Sequence, residues 1–142
     1  MSKIVETPNT TVVAIVTNNY LLRLGLQKIV DDEKWIRLVG QAVHAGNLDE
    51  ILTNQHPHTV ILDTEIGCVA PDFIQKIKRV APRVKTILLS GFDDTECARQ
   101  ALDSGVDGIV LKVQPSAVLI ATIKYLANSG EEFVLPIGNG QA

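Results

Sequence analysis

The segment HTVILD, residues 58–63, decides the fold, because it is a short β-branched run that ends in a carboxylate. An apolar run of this length is typical of a strand buried on both faces of a sheet. Comparable strand patterns lie before and after it, at TVVAIV (Thr11–Val16), WIRLVGQA (Trp35–Ala42), TILLS (Thr86–Ser90) and GIVLK (Gly108–Lys112). We therefore predict strands that alternate with helices along the whole chain.

Helical spacing of apolar residues fills the intervals between these strands. The start signals that we expect are Asn18 or Asn19, Asn47, Asp72, Asp93 with Glu96 as a capping box, and Pro115. The inward residues that we expect are Leu22, Leu26, Ile29 and Val30, then Phe73, Ile77 and Val80, and finally Leu119, Ile123 and Leu126. The second helix is expected to run through Asn54, the fourth to stop at Gly105 and the last near Gly130.

These patterns predict an α/β domain with a five-stranded parallel sheet covered by helices on both faces. Right-handed crossovers give such a sheet a doubly wound, flavodoxin-like topology with three layers, α/β/α. We divide the 142 residues into a leader (1–10), one domain (11–130) and a short tail (131–142).

Composition excludes several classes of function. A net charge of −3 argues against nucleic-acid binding by this domain, since that requires clustered Lys and Arg. Cys68, Cys97 and the histidines have no metal-ligand spacing, so we expect neither structural zinc nor a disulfide framework. No apolar run is long enough to span a membrane, and the N-terminus has no signal-peptide core, so we expect a cytoplasmic location.

Polar side chains are predicted to meet at one edge of the sheet. The carboxyl ends of parallel strands form the ligand-binding edge of an open α/β sheet. The first strand delivers Thr17 and Asn18 to this edge, the third Asp63, the fourth Ser90 and the fifth Lys112. A carboxylate, a hydroxyl and an ammonium group are therefore expected to converge there.

This arrangement resembles the receiver domain of two-component response regulators, in the branch usually fused to a LuxR-type helix-turn-helix domain. The matching stretches are VVAIVTNNYLLRLGL, VILDTEIG, ILLSGFDD and DSGVDGIVLK. The resemblance implies that Asp63 accepts a phosphoryl group from a histidine kinase. It implies that Ser90 bonds a phosphoryl oxygen, and that Lys112 pairs first with the carboxylate and then with the phosphoryl charge.

The sequence departs from the family pattern at several positions. Where typical relatives carry two acidic residues that hold Mg²⁺, this chain has Thr17 and Asn18. The aromatic switch residue of the family is Ile109 here, and a common proline is Gly67. Glu65, two residues after Asp63, is a carboxylate that could lie near the pocket. We expect no bound cofactor and only weak Mg²⁺ binding.

Thr17 and Asn18 allow two interpretations. They could cap the first helix, which Asn does well. They could instead donate hydrogen bonds to Asp63 or to a phosphate in place of a metal. We favour capping.

Apolar residues on the first and last helices suggest an interaction surface. Leu24 lies off the predicted inward face of the first helix, and Val118, Ile120 and Tyr125 lie off that of the last. Isolated exposed apolar residues are normal on a protein surface. A shared patch would instead mark the face of a homodimer or of a partner protein.

We hypothesise that the chain is an atypical receiver, a module for signalling and protein interaction with weak or absent phosphorylation at Asp63. The alternative is a conventional phosphorelay receiver that regulates transcription through a DNA-binding domain outside this chain. An enzyme is disfavoured, because no glycine-rich phosphate loop and no nucleophile–His arrangement is evident at the predicted edge.

Overall fold

The structure, a computed structural model, describes residues 10–42, 45–64 and 70–128. Residues 1–9 of the predicted leader and the whole predicted tail lie outside these ranges. Within them the strands are β1 Thr11–Val16, β2 Ile36–Ala42, β3 Thr59–Asp63, β4 Lys85–Ser90 and β5 Gly108–Leu111. All pairings are parallel, and the strand order is β2-β1-β3-β4-β5. The predicted doubly wound α/β sheet is confirmed.

The helices connect successive strands and cover both faces of the sheet. Their bounds are α1 Tyr20–Asp31, α2 Ala45–Asn54, α3 Ala70–Val80, α4 Thr95–Asp103 and α5 Ser116–Asn128. On one face, buried residues of α1 and α5 such as Leu26 and Ile123 pack against the sheet. On the other face, α2, α3 and α4 contribute residues such as Leu48, Ile74 and Ala101 to a second cluster. The inward positions predicted for α5, Leu119, Ile123 and Leu126, are confirmed as buried.

Several predicted helix starts are wrong by one or more residues. Helix α3 begins at Ala70, so Asp72 lies in its first turn instead of capping it. Helix α4 has Asp94, not Asp93, at its N-cap position. Glu96 forms no capping box, because its carboxylate accepts hydrogen bonds from Arg99 at 2.6 Å and Gln100 at 3.3 Å. Local sequence offers neighbouring acids of equal capping ability, and only tertiary contacts select one of them.

Two further predictions about the helices have opposite outcomes. Val80 was expected to face inward, but it is the last residue of α3 and is exposed. Gly105 follows α4 with a φ of 94°, the left-handed conformation that ends many helices and favours glycine, as predicted.

Cys97 is buried on α4 and disulfide-bonded, whereas we expected no disulfide framework. Cys68 lies outside the described residues. None of the described helices is both long and apolar enough to cross a membrane.

Strand register places the predicted site residues level with one another. Val16 pairs with Leu62, so Thr17 comes next to Asp63 at the carboxyl ends of β1 and β3. Ser90 pairs with Leu111, so Lys112 follows directly at the end of β5. The sheet itself therefore gathers these side chains at one edge.

Candidate functional site

Asp63 is the centre of the site. Its side chain ends β3 and is only 1% exposed. The Lys112 ammonium lies 2.6 Å from Asp63 Oδ1, with 22% of the lysine side chain exposed. The backbone N–H of Lys112 donates to the carbonyl of Ser90 at 2.8 Å, which extends the β4–β5 pairing by one residue and directs the lysine to the pocket. The ion pair predicted from the strand ends is present.

Thr17 is hydrogen-bonded to the second oxygen of the same carboxylate. An ionised carboxylate only accepts hydrogen bonds, so the Thr17 hydroxyl donates to Asp63 Oδ2, at 2.6 Å. Thr17 is 1% exposed, so little water competes with this bond. The preference for helix capping at Thr17 and Asn18 was wrong, whereas Asn19, the other predicted start signal of this helix, is confirmed as its cap. The cap of α1 is Asn19, whose side chain accepts from the N–H of Leu22 at 3.0 Å, and Asn18 is exposed.

Thr17 also supports the helix that follows it. Its hydroxyl oxygen accepts a hydrogen bond from the backbone N–H of Asn19 at 3.0 Å. One hydroxyl therefore links the start of α1 to the Asp63 carboxylate, through residues that are 46 positions apart in sequence. This link forms only when the chain is folded, because its two residues are distant in sequence. The capping preference of a local segment could therefore not reveal it.

The described pocket residues do not fit a magnesium site. Mg²⁺ requires oxygen ligands in near-ideal octahedral geometry and is usually held by one or two carboxylates. Here Asp63 Oδ1 faces an ammonium and Oδ2 faces a hydroxyl that donates to it. Within the described ranges, no cluster of three or more His, Cys, Asp or Glu side chains could hold a metal ion. The negative charge of Asp63 is already compensated by Lys112.

Ser90 is buried at the end of β4 but does not donate to Asp63. It is 1% exposed, and its single hydroxyl proton is directed to the carbonyl of Gly91 at 3.1 Å. Ile109 is half-buried and packs against the apolar cluster formed with α2, α3 and α4. Its side chain is aliphatic and lacks the aromatic ring that the family resemblance leads us to expect at this position. Glu65 and Gly67 lie outside the described residues.

A hydrogen-bonded group that sequence reasoning missed lies beside Asp63. Thr64, 5% exposed, donates its hydroxyl to Asp94 Oδ2 at 2.7 Å. The N–H of Gly91 donates to the same oxygen at 3.1 Å. The signal in the sequence was a second polar residue directly after the β3 carboxylate, together with paired acids in the loop after β4.

The predicted interaction residues separate into two groups. Leu24 on α1 is 47% exposed and Tyr125 on α5 is 38% exposed. Val118 and Ile120 were expected to lie off the inward face, but they are half-buried and pack against the cluster that α1 and α5 share. Sequence reasoning missed Tyr20 and Leu21 at the start of α1, which are 60% and 76% exposed.

Comparison with known proteins identifies a family for the chain as a whole. The model of the family described as response regulator receiver domain matches residues 13–124. The uncharacterized transcriptional regulatory protein YesN of Bacillus subtilis is 32% identical over 88 residues, which cover 61% of this chain and 24% of that protein. The oxygen regulatory protein NreC of Staphylococcus epidermidis is 27% identical over 127 residues, covering 86% of this chain and 56% of that protein. The chain thus spans 24% and 56% of the length of these relatives.

Solved structures show the same fold. The isolated REC domain of RcsB from Salmonella enterica serovar Typhimurium, solved with the phosphomimetic BeF3−, matches with a TM-score of 0.75 and 24% sequence identity. The match covers 87% of this chain and 92% of that one. At this identity the likeness supports the architecture alone, and the chemistry of the pocket has to be argued from its own residues.

Proposed function

The chain belongs to the response regulator receiver domain family, and we propose that it acts there as an atypical receiver, with weak or no Mg²⁺-dependent phosphorylation at Asp63. In this proposal it is a cytoplasmic module for signalling and protein interaction. It is not an enzyme and does not itself bind nucleic acid. Its output depends on which helical surfaces it presents to a partner.

The hydrogen bond from Thr17 to Asp63 carries this proposal. Phosphoryl transfer to a carboxylate requires that one oxygen attack phosphorus while cations neutralise the charge of the transferred group. The Thr17 hydroxyl lies 2.6 Å from Oδ2 and the Lys112 ammonium lies 2.6 Å from Oδ1. Both oxygens of the nucleophile are therefore already stabilised in the unmodified state, and this lowers their reactivity.

Electrostatics support weak magnesium binding. Two unit charges about 4 Å apart interact by roughly 4 kcal/mol at an effective dielectric constant near 20. Replacing two carboxylates by Thr17 and Asn18 removes attractions of this order for a divalent ion. Metal desolvation and water ligands offset part of the loss, but every ~1.4 kcal/mol that remains lowers affinity about tenfold.

The sensing residues are also weakened. Ser90 donates to a backbone carbonyl beside it, and Ile109 replaces the aromatic side chain that the family resemblance leads us to expect. A phosphoryl group at Asp63 would therefore have to compete with the Gly91 carbonyl for the Ser90 hydroxyl. No aromatic side chain at position 109 would respond to a movement of Ser90. We propose that partner binding, not phosphorylation, sets the output.

Incubation with acetyl phosphate and Mg²⁺, followed by intact mass spectrometry, tests this proposal. We expect little or no addition of a phosphoryl group. Efficient labelling that disappears in Asp63→Asn would overturn it. A conventional receiver labelled under identical conditions shows that the donor is active.

The conventional phosphorelay receiver is the second candidate, favoured by the intact ion pair between Asp63 and Lys112. In that case an oxygen of Asp63 attacks the phosphorus of a phosphohistidine, the P–N bond breaks, and the kinase imidazole leaves. Relatives such as NreC extend well beyond the matched region, so regulation of transcription through a further DNA-binding domain is part of this candidate. Efficient labelling in the assay above favours it.

Helices α1 and α5 are proposed to form the face of a homodimer. Both pack on one side of the sheet, and Leu21, Leu24 and Tyr125 are exposed there. Burying large apolar side chains is the main favourable term in association. Analytical ultracentrifugation should show a dimer that Leu24→Glu dissociates, with Thr53→Glu on α2 as the control. A wild-type monomer at high concentration would argue against this face.

A further inference from the structure

The loop between β4 and α4 is tied to the residue that follows Asp63. Asp94 Oδ2 accepts hydrogen bonds from the Thr64 hydroxyl at 2.7 Å and from the Gly91 N–H at 3.1 Å. The N–H of Asp94 donates back to the Gly91 carbonyl at 3.2 Å. These bonds close a small ring that joins the end of β3, the first residue after β4 and the start of α4.

Asp94 makes these bonds in place of a helix cap. It occupies the N-cap position of α4, where an aspartate normally accepts an N–H from the first turn of the helix. Its side chain makes no such bond. The carboxylate is directed across the site to Thr64, a residue that is 5% exposed and adjacent in sequence to Asp63.

Gly91 has the size that this ring requires. A Cβ atom at position 91 would lie 2.8 Å from Asp94 Oδ2, closer than real Cβ contacts. A side chain at position 91 would therefore displace the Asp94 carboxylate from the position in which it accepts these bonds. The same loop carries Phe92, which is 77% exposed. The hydrogen-bonded ring of Thr64, Gly91 and Asp94 therefore also fixes the part of the surface on which Phe92 lies.

We propose that Asp94 is a positioning residue that couples the charge state of Asp63 to helix α4 through Thr64. The coupling rests on the proposed function as a receiver, and it supplies a connection where Ile109 lacks the aromatic switch. A change at Asp63 moves the adjacent backbone of Thr64. The short hydrogen bond passes that movement to Asp94, whose own carbonyl accepts the N–H of Ala98 in α4 at 3.0 Å.

Amide hydrogen exchange measured by NMR tests this coupling without any phosphoryl donor. Asp63→Asn removes the buried charge and is compared with the wild type in three backgrounds: unchanged, Asp94→Ala and Asp93→Ala. Asp93 is the matched control, because it is an exposed acid one residue earlier in the same loop. The quantity measured is the exchange rate of the Ala98 amide and its neighbours in α4.

We expect Asp63→Asn to change the exchange rate in α4 by about threefold or more in the unchanged and Asp93→Ala backgrounds, the size of one altered hydrogen bond. In the Asp94→Ala background the change should fall below about 1.5-fold, since coupled sites are non-additive. Asp94→Asn, whose amide oxygen still accepts from Thr64, should restore it. This rescue separates positioning from a general loss of stability.

Two results would overturn the coupling. One is an equal response of α4 to Asp63→Asn with and without Asp94. The other is no response of α4 in any background. Neither result bears on whether Asp63 is phosphorylated, which the labelling assay decides separately, so failure of the coupling and failure of the proposed function are distinguishable.

Discussion

The two sides of the Asp63 pocket differ in the group that each presents to the carboxylate. On the β3 and β5 side, the carboxylate and the Lys112 ammonium form a close ion pair at 2.6 Å. On the β1 side, a buried hydroxyl from Thr17 bonds the other carboxylate oxygen at the same distance. The first side pairs the carboxylate with a cation, whereas the second provides a neutral hydrogen-bond donor.

This difference shows that a strand end can keep its geometry while its chemistry changes. Thr17 is as buried as Asp63, and its hydroxyl donates to one carboxylate oxygen while the Lys112 ammonium pairs with the other. A buried charge is tolerated when it is paired and hydrogen-bonded. We infer that Lys112 and Thr17 together stabilise an unmodified Asp63, and the following variants separate their contributions.

Removing the cation should have the largest effect on stability. Lys112→Met leaves the 1% exposed Asp63 carboxylate without its ion-pair partner. Because the lysine is partly exposed, we expect the lower end of the usual range for breaking a buried pair, about 3 kcal/mol of unfolding free energy, measured by urea denaturation.

A double variant gives the control for this result. Lys112→Met combined with Asp63→Asn removes both charges, so most of the lost stability should return. A loss of less than about 1 kcal/mol in the single variant would place Lys112 among ordinary surface ion pairs.

Removing the neutral donor should have a smaller effect. Thr17→Val keeps the shape of the side chain but deletes the hydroxyl that donates to Asp63. Hydrogen bonds to charged groups contribute about 1.5–3 kcal/mol, and we expect a loss near the lower value in the same urea assay. Thr53→Val, at an exposed position of α2, is the matched control and should change stability little. Equal effects of the two substitutions would mean that the Thr17 bond is unimportant.

The exposed ion pair of Glu96 and Arg99 on α4 is expected to have the smallest effect on the free energy of unfolding. Hydrogen bonding and charge from Arg99 lower the pKa of the Glu96 carboxyl below its ordinary 4.5. A lowered folded-state pKa stabilises the protein above the unfolded value, and this stabilisation is lost as pH falls through the folded value. Arg99→Ala should therefore raise the Glu96 pKa in an NMR titration and leave the urea midpoint at pH 7 almost unchanged. An unchanged Glu96 pKa would contradict this contact.

The fold could be predicted from sequence because its signals are local. Runs such as TVVAIV and HTVILD specify strands buried on both faces, and Gly105 marks the end of a helix. Parallel topology then places the strand ends at one edge, which is why Asp63 and Lys112 were predicted to meet. Helix starts were less certain, because Asp93 and Asp94 are equally suited to cap α4.

The sequence interpretation ranked the bond from Thr17 to Asp63 below helix capping, and it missed the bond from Thr64 to Asp94. Both are side-chain bonds between distant segments. Thr17 bonds a residue 46 positions away, and Thr64 bonds Asp94 across 30 positions. In both cases a residue with a good local capping role was recruited to a tertiary contact. Capping propensity is a weak preference of about 1 kcal/mol, and the hydrogen bonds of the buried Asp63 and the half-buried Asp94 outweigh it.

Titration of Mg²⁺ into the wild-type chain and into a Thr17→Asp/Asn18→Asp variant, followed by calorimetry, tests the role of the β1 side most directly. We expect no saturable binding to the wild type below about 10 mM, and affinity at least about tenfold higher in the variant with restored acids. Saturable wild-type binding below about 1 mM that is lost in Asp63→Asn would contradict the proposal that Thr17 and Lys112 take the place of the ion.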